Sequence, residues 1–262
     1  MKEEIRIFFT AMMFYTRIPC PENIDHSPDY INKATRYFPL IGWIVGAISF
    51  AVFVLSSFLF DTNISVLFSL IAGVLVTGAF HEDGLADVFD GFGGGWTKAK
   101  ILEIMKDSRV GAYGVIALVF LFGLKFFALN DLILKVNSQN YLLASLLFIS
   151  YHSLSRLTAI QIVFTSQYSR EDESSKAKPI AKAHSYKEIL GAYFFGLLPL
   201  VGLCVLQWKF CFVIIPLAML YYYSKGYFNK WIDGYTGDCL GAVEQMAECV
   251  CLLSFLALWK FM

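Results

Sequence analysis

The apolar residues of this chain fall in long, nearly uninterrupted runs, and that pattern limits the fold more than anything else in the sequence. A half-buried strand alternates every second residue and a surface helix every three to four. A run that is apolar on every side belongs in a core or in lipid. We read seven such segments, roughly 38–60, 64–80, 110–129, 141–163, 189–206, 210–224 and 239–259. A helix needs about 20 apolar residues to cross the hydrocarbon, where only helices and closed barrels satisfy their own backbone groups. The chain is 57% hydrophobic and 16% charged, against about 45–50% and about 25% in soluble domains, which leaves too little polar surface to cover a soluble core. The sequence therefore predicts an all-α, polytopic integral membrane helical bundle of about seven spans, with residues 1–262 as one membrane-embedded catalytic domain. Segments 64–80 and 210–224 are short for a span and are expected to thin the bilayer or belong to broken helices. Only residues 207–209 separate the fifth segment from the sixth, which predicts a tight helical hairpin.

Orientation follows from the basic residues. With the N-terminus inside, the inner connections hold Lys2, Arg6, Arg17, Lys33, Arg36, Lys98, Lys100, Lys106, Arg109, Arg170, Lys176, Lys178, Lys182, Lys187, Lys225 and Lys230. The outer ones hold only Lys135, Lys209 and Lys260. This bias predicts a cytoplasmic N-terminus and gathers residues 81–109, 164–188 and 225–238 on the cytoplasmic side. The first 20 residues are expected to form an amphipathic interfacial helix and not a signal peptide, since Glu3, Glu4 and Arg17 interrupt the required pattern. The Ser- and Lys-rich stretch 164–188 reads as a mobile loop. A formal net charge of zero gives no electrostatic case for nucleic acid. The six cysteines sit in or beside apolar runs without C-x2-C spacing, as small buried residues and not as a zinc site or disulfide framework.

The chemistry concentrates after the second segment, in TGAFHEDGLADVFDGFGGGWTKAKILEIMKDSRVGAYG at 77–114. Glu82, Asp83, Asp87 and Asp90 crowd into nine residues. On a helix, Asp83, Asp87 and Asp90 share one face at i, i+4 and i+7. Like charges at the end of an apolar span repel, and oxygen-only ligands suit a hard cation such as Mg²⁺. These four acids are therefore candidate metal ligands. His81 is not half of an H-E-x-x-H site, because Leu85 stands where the second histidine belongs. Gly91, Gly93, Gly94 and Gly95 would let a backbone approach a phosphate, or simply break the helix. Lys106, Asp107 and Arg109 follow, and Arg109 is a candidate bidentate phosphate clamp.

A second cluster lies in DGYTGDCLGAVEQMAE at 233–248. Asp238 stands in a Gly-rich turn as a site candidate. Glu244 and Glu248 fall inside the last span, where two acids are costly unless paired, and Arg156 is the available internal cation.

Several blocks together resemble the cobalamin synthase (adenosylcobinamide-GDP ribazoletransferase) family. They are FHEDGLADVFDGFGGG with IMKDSRVGAYG, FYTRIPCP at 14–21, YFPLIGWIVG at 37–46, SLSR at 153–156 and GYTGDCLGA at 234–242. The resemblance runs over most of the chain. It implies a multi-pass, Mg²⁺-dependent transferase of the cell inner membrane with its site facing the cytoplasm. Such an enzyme transfers the adenosylcobinamide phosphoryl group from adenosylcobinamide-GDP to α-ribazole or its 5′-phosphate, releasing GMP, and its oligomeric state is left open. On this expectation Asp83, Asp87, Asp90 and Asp107 are catalytic, and Glu82, Asp83, Asp87 and Asp90 hold Mg²⁺. Lys106, Arg109, Arg156 and Asp238 contact substrate or phosphate. A CDP-alcohol phosphotransferase also carries D-x-x-D-G, matched here by Asp87, Asp90 and Gly91, but Gly94 and Gly95 replace its Ala-Arg and its later paired aspartates are missing. A cation-coupled transporter would spread charges through several spans, whereas here the sequence gathers them at span ends.

Overall fold

The computed structural model describes residues 3–22, 24, 27–136, 140–169 and 184–261. Among these the chain is helical, with no β-strand beyond one isolated bridge, Tyr168 to Tyr235. The helices are α1 (Glu3–Tyr15), α2 (Pro28–Ala34), α3 (Phe38–Ser57), α4 (Thr62–Thr77), α5 (Phe80–Gly94), α6 (Lys98–Ile104), α7 (Ala112–Lys135), α8 (Tyr141–Thr165), α9 (Tyr186–Leu206), α10 (Ile214–Ile232) and α11 (Gly237–Trp259). Polar residues set most of the starts: the side chains of Asp61, Asn140, Ser185 and Thr236 accept backbone N–H groups at the heads of α4, α8, α9 and α11.

Five helices are long and apolar enough to cross a membrane: Pro28–Ser57, in which α2 runs on through a 3₁₀ turn into α3, and α7, α8, α9 and α11. The count becomes six if α4 and α5, bent by 88° across Gly78 and Ala79, form one broken span. The expected seven segments are thus present as helices, but two are not independent spans. The 16 residues of α4 reach only about 24 Å at 1.5 Å per residue. The second half of α10 carries Lys225, Asn229 and Lys230 and is too polar. The hairpin between the fifth and sixth segments is joined by a 3₁₀ turn, Trp208–Val213, and α10 then packs mainly on α8 and α11 instead of α9.

α8 is the axis of the bundle: 83% of its apolar window is buried, against 28% for α9 and 33% for α7. α3 lies directly on it because Gly42 and Gly46 remove the side chains that would separate the backbones. A Cβ at Gly42 would stand 2.5 Å from the His152 carbonyl oxygen, and one at Gly46 2.8 Å from Ile149 Cα. α9 docks on this pair through a gap in its own hydrogen bonding. Pro199 has no N–H for the Phe195 carbonyl, which accepts instead from Trp43 Nε1 at 2.8 Å and Ser153 Oγ at 2.9 Å. The outward faces carry Leu55, Val119, Phe120, Phe127, Val201, Val205 and Met219, exposed as lipid-facing residues are.

α1 buries Ile7, Ala11, Met12 and Tyr15 against the bundle and is tied down by ion pairs of Glu3 with Lys33 and Glu4 with Arg36. It is therefore docked on protein along one face, which the reading of residues 1–20 as an interfacial helix did not anticipate. Of the loop read as mobile at 164–188, residues 170–183 lie outside the described residues. Residues before that stretch are pinned: Tyr235 N–H donates to the Gln167 carbonyl and Ser169 N–H to the Tyr235 carbonyl. Three cysteines are buried, Cys20 and Cys204 are half-buried and Cys211 is exposed, and all six are free.

Candidate functional site

The acidic segment is helical as the spacing requires, but the structure divides its four acids among three jobs. α5 begins at an elbow where Gly78 and Ala79 both take left-handed conformations (φ 67° and 58°). From there it packs chiefly against α11 and α7. One side turns inward with His81 and Glu82, which are 2% and 7% exposed. The other carries Asp83, which is exposed, and Asp87, which is half-buried. α5 meets α11 through two glycines: a Cβ at Gly84 would lie 2.9 Å from the Asp238 carbonyl oxygen, and one at Gly241 2.9 Å from that of His81. The Asp238 backbone is thereby held against α5 at Gly84, the residue that follows Asp83. The expected meeting of the two distant acidic motifs is present.

Asp90 has a different task. Gly111 N–H donates to its Oδ2 at 2.6 Å and Gly114 N–H to its Oδ1 at 2.9 Å. α7 starts at a glycine with no capping side chain, and Asp90 caps it from the neighbouring helix. With each oxygen accepting one of these bonds, Asp90 orients α7 against α5. The following glycines serve packing: Cβ atoms at Gly91 and Gly93 would meet Met105 Cγ at 2.5 Å and the Tyr113 ring at 2.6 Å.

Glu82 belongs to an interior network that the sequence only half revealed. Arg156 Nη1 lies 2.7 Å from Glu244 Oε1 and 3.6 Å from Glu248 Oε1. Lys125 Nζ lies 2.5 Å from Glu248 Oε2, and His152 Nδ1 2.6 Å from Glu248 Oε1. His81 Nδ1 comes within 3.7 Å of Glu244 Oε2. The pairing of Arg156 with the α11 acids is as expected. Arg156, expected at the substrate phosphate, is 1% exposed and its guanidinium is engaged inside the bundle. Lys125 and His152 were missed, although a lone lysine in FLFGLKFFAL is itself a signal, since a charge in an apolar run requires a partner. Charges thus occupy mid-bundle positions on α7, α8 and α11, against the expectation that they gather at span ends. Protein cations meet the Glu244 and Glu248 carboxylates, as a structural network requires. A small cavity of about 10 Å³ borders Glu82, Lys125 and His152, room for about one water.

At the surface Asp107 and Arg109 pair with each other. Arg109 Nη2 donates to Asp107 Oδ2 at 2.6 Å and Arg109 Nε to Oδ1 at 3.0 Å, with Arg109 side-chain exposure of 87%. The Arg109 guanidinium holds the Asp107 carboxyl down at about 2. Lys106 is exposed beside this pair. Among the described residues no three His, Cys, Asp or Glu side chains are grouped to hold a metal by themselves.

The family model described as cobalamin-5-phosphate synthase matches residues 7–256. Proteins named adenosylcobinamide-GDP ribazoletransferase are similar over nearly their whole length. The one from Shewanella frigidimarina is 42% identical over 258 residues, covering 97% of this chain and 95% of the relative. That from Shewanella amazonensis is 43% identical over 263 residues, covering 99% and 98%. That from Shewanella woodyi is 40% identical over 268 residues, covering 98% and 97%. No solved structure matches the chain.

Proposed function

Because the chain belongs to the cobalamin-5-phosphate synthase family, we propose that the carboxylates Asp83 and Asp87, with Asp238, form the centre of its reaction. It is a multi-pass membrane transferase that moves the adenosylcobinamide phosphoryl group from adenosylcobinamide-GDP to α-ribazole or its 5′-phosphate. The products are adenosylcobalamin or its 5′-phosphate, and GMP. One observation carries the placement: Gly84 and Gly241 press the two acidic motifs together from opposite parts of the chain.

A ribose hydroxyl oxygen attacks the phosphorus next to the cobinamide, and the bond from that phosphorus to the bridging oxygen of GMP breaks. GMP leaves with the bridging oxygen, and the hydroxyl proton passes to a carboxylate. Little covalent work falls to the protein, so positioning and charge neutralisation dominate. Asp83 or Asp87 takes the proton and orients the hydroxyl, with Asp238 fixing its approach. Arg109, held in line by Asp107, and Lys106 receive the diphosphate from the exposed side. Asp90 positions these elements by holding α7 to α5. The donor chemistry fits Mg²⁺, which uses one or two carboxylates and completes its shell with water and phosphate oxygens. Asp83 and Asp87 would hold it, and when bound it supplies positive charge to the phosphates. Glu82, expected among the ligands, faces the interior network instead. The excess of basic residues at this end of the bundle supports a cytoplasmic site in the inner membrane.

The test is GMP and corrinoid product formation by the purified, detergent-solubilised protein, with and without Mg²⁺. Asp83→Asn and Asp87→Asn proteins are run alongside. Mg²⁺-dependent product that disappears in folded variants supports the reading. Undiminished turnover in both variants removes the reaction from α5.

A further inference from the structure

Two adjoining cavities open beside the end of α8, one between α8, α9 and α10 and the other between α8 and the end of α10, and the residues named in the reaction above do not line them. The first, about 300 Å³, is lined by Gln161, Phe164, Thr165, Tyr193, Ala218 and Tyr222, among others. The second, about 460 Å³, shares Phe164 and Thr165 and continues past Gln167 and Asn229 to Asp233. Each falls in the range of about 300–1,000 Å³ typical of small-molecule sites. Their characters differ. The first is a slot of aromatic rings, and the hydroxyls of Thr165 and Tyr221 are fixed to each other at 2.8 Å across its side. The second is mostly polar, lined by Thr165, Ser166, Gln167, Asn229 and Asp233.

The far end of the second cavity is built, not incidental. Asp233 takes a left-handed conformation (φ 57°) and begins the turn that leads to Asp238. A Cβ at Gly234 would stand 2.2 Å from the Gln167 carbonyl oxygen, so only glycine lets the turn lie against the exit of α8. Backbone hydrogen bonds between Tyr235 and Gln167 and between Ser169 and Tyr235 secure it. Lys98 reaches from α6 to Asp233 at 3.1 Å. One rigid turn therefore forms the wall of the cleft at Asp233 and the edge of the reaction site at Asp238.

We propose that this cleft binds the second substrate: a flat, largely apolar heteroaromatic base in the Phe164–Tyr193–Tyr222 slot, its ribose against Gln167 and Asn229, and its reacting hydroxyl directed along the turn towards Asp238. The assignment rests on the ribazoletransferase reading above. Aromatic side chains supply stacking faces for such a base. The occupant is not the guanine of the other substrate, because Asp233, the one carboxylate among the described residues lining the cleft, already pairs with Lys98. It is not a lipid chain, because Gln161, Thr165 and Asn229 place polar groups along its length.

The experiment combines direct binding with turnover. Fluorescence of α-ribazole is titrated with the protein in the absence of adenosylcobinamide-GDP, for the natural sequence, Ala218→Phe, Asn229→Ala and a control, Met219→Phe, on the outward face of the same helix. Ala218→Phe is expected to weaken α-ribazole binding and raise its KM at least tenfold, with kcat and the KM for adenosylcobinamide-GDP within twofold. Asn229→Ala is expected to raise the α-ribazole KM alone and serves if Ala218→Phe does not fold. Unchanged α-ribazole binding in both folded cleft variants overturns the proposal. So does competition by GMP for the bound α-ribazole, or a raised KM for adenosylcobinamide-GDP only. Cleft-dependent binding of α-ribazole without any product would leave the cleft standing and defeat the ribazoletransferase reading instead.

Discussion

Two pairs of carboxylates stand one helical turn apart in this molecule, and the bundle treats them in opposite ways. Glu244 and Glu248 on α11 are 0% and 2% exposed and are closed off by Arg156, Lys125 and His152 from α8 and α7. Asp83 and Asp87 on α5 have the same spacing, but Asp83 is exposed and Asp87 only half-buried at the end of the bundle. Spacing alone therefore does not make a reaction site. An acid enclosed in the bundle contributes to assembly, whereas an acid that solvent reaches beside a second motif can meet a substrate.

The sharpest way to break the comparison is to remove one partner of the interior pair. Arg156→Met leaves Glu244 enclosed without its guanidinium, a change of the kind that costs about 3–5 kcal/mol. We expect a large loss of thermal stability in detergent, with activity falling because folded protein is lost. Replacing both partners, Arg156→Met with Glu244→Gln, should recover much of it. A single variant as stable as the natural protein would mean the network is not closed in the way described.

On α5 the order reverses. Asp83→Asn should leave the melting temperature nearly unchanged, as surface substitutions do, and the half-buried Asp87→Asn should lower it by less than Arg156→Met, while kcat falls at least about 100-fold in each, the scale of a lost general base. Asp90 lies between the extremes. Asp90→Ala removes the acceptor of two N–H groups at the start of α7 and should cost about 1–2 kcal/mol of stability, with activity falling in proportion. Were Asp90→Ala to abolish turnover at full stability, Asp90 would return to the group of reacting carboxylates.

The sequence carried the helices because run length is a local property, and the meeting of the two acidic motifs because the basic-residue bias put both at one end of the bundle. Arg156 and Glu244 were legible as partners because an isolated charge in an apolar run demands one. The division of labour among Glu82, Asp83, Asp87 and Asp90 was not legible. It depends on which neighbour each side of α5 meets: Lys125 and Glu248 inward, Gly111 and Gly114 at the next helix start. The shortness of α4 and its part in a broken helix were legible from the length of 64–80, but the 88° angle at Gly78 and Ala79 was not, since packing and not hydropathy fixes it.

The smallest expected effect concerns Asp107 and Arg109, an exposed pair whose value lies in aiming the guanidinium. The Asp107 carboxyl is depressed from its ordinary 3.8 to about 2. A depressed acid lends its favourable charge fully above the unfolded value and loses it only as pH falls through the folded value. Across pH 5–8 the pair is therefore intact and contributes no limb to the pH profile. Asp107→Asn should raise the KM for adenosylcobinamide-GDP about two- to fivefold, the range of an exposed ion pair, and by the same factor at every pH in that window. The check is the ratio of KM values for variant and natural protein at pH 5.5, 6.5 and 7.5. A flat ratio above one fits a charge that only orients Arg109, whereas a ratio that changes with pH would mean that Asp107 exchanges its proton during turnover.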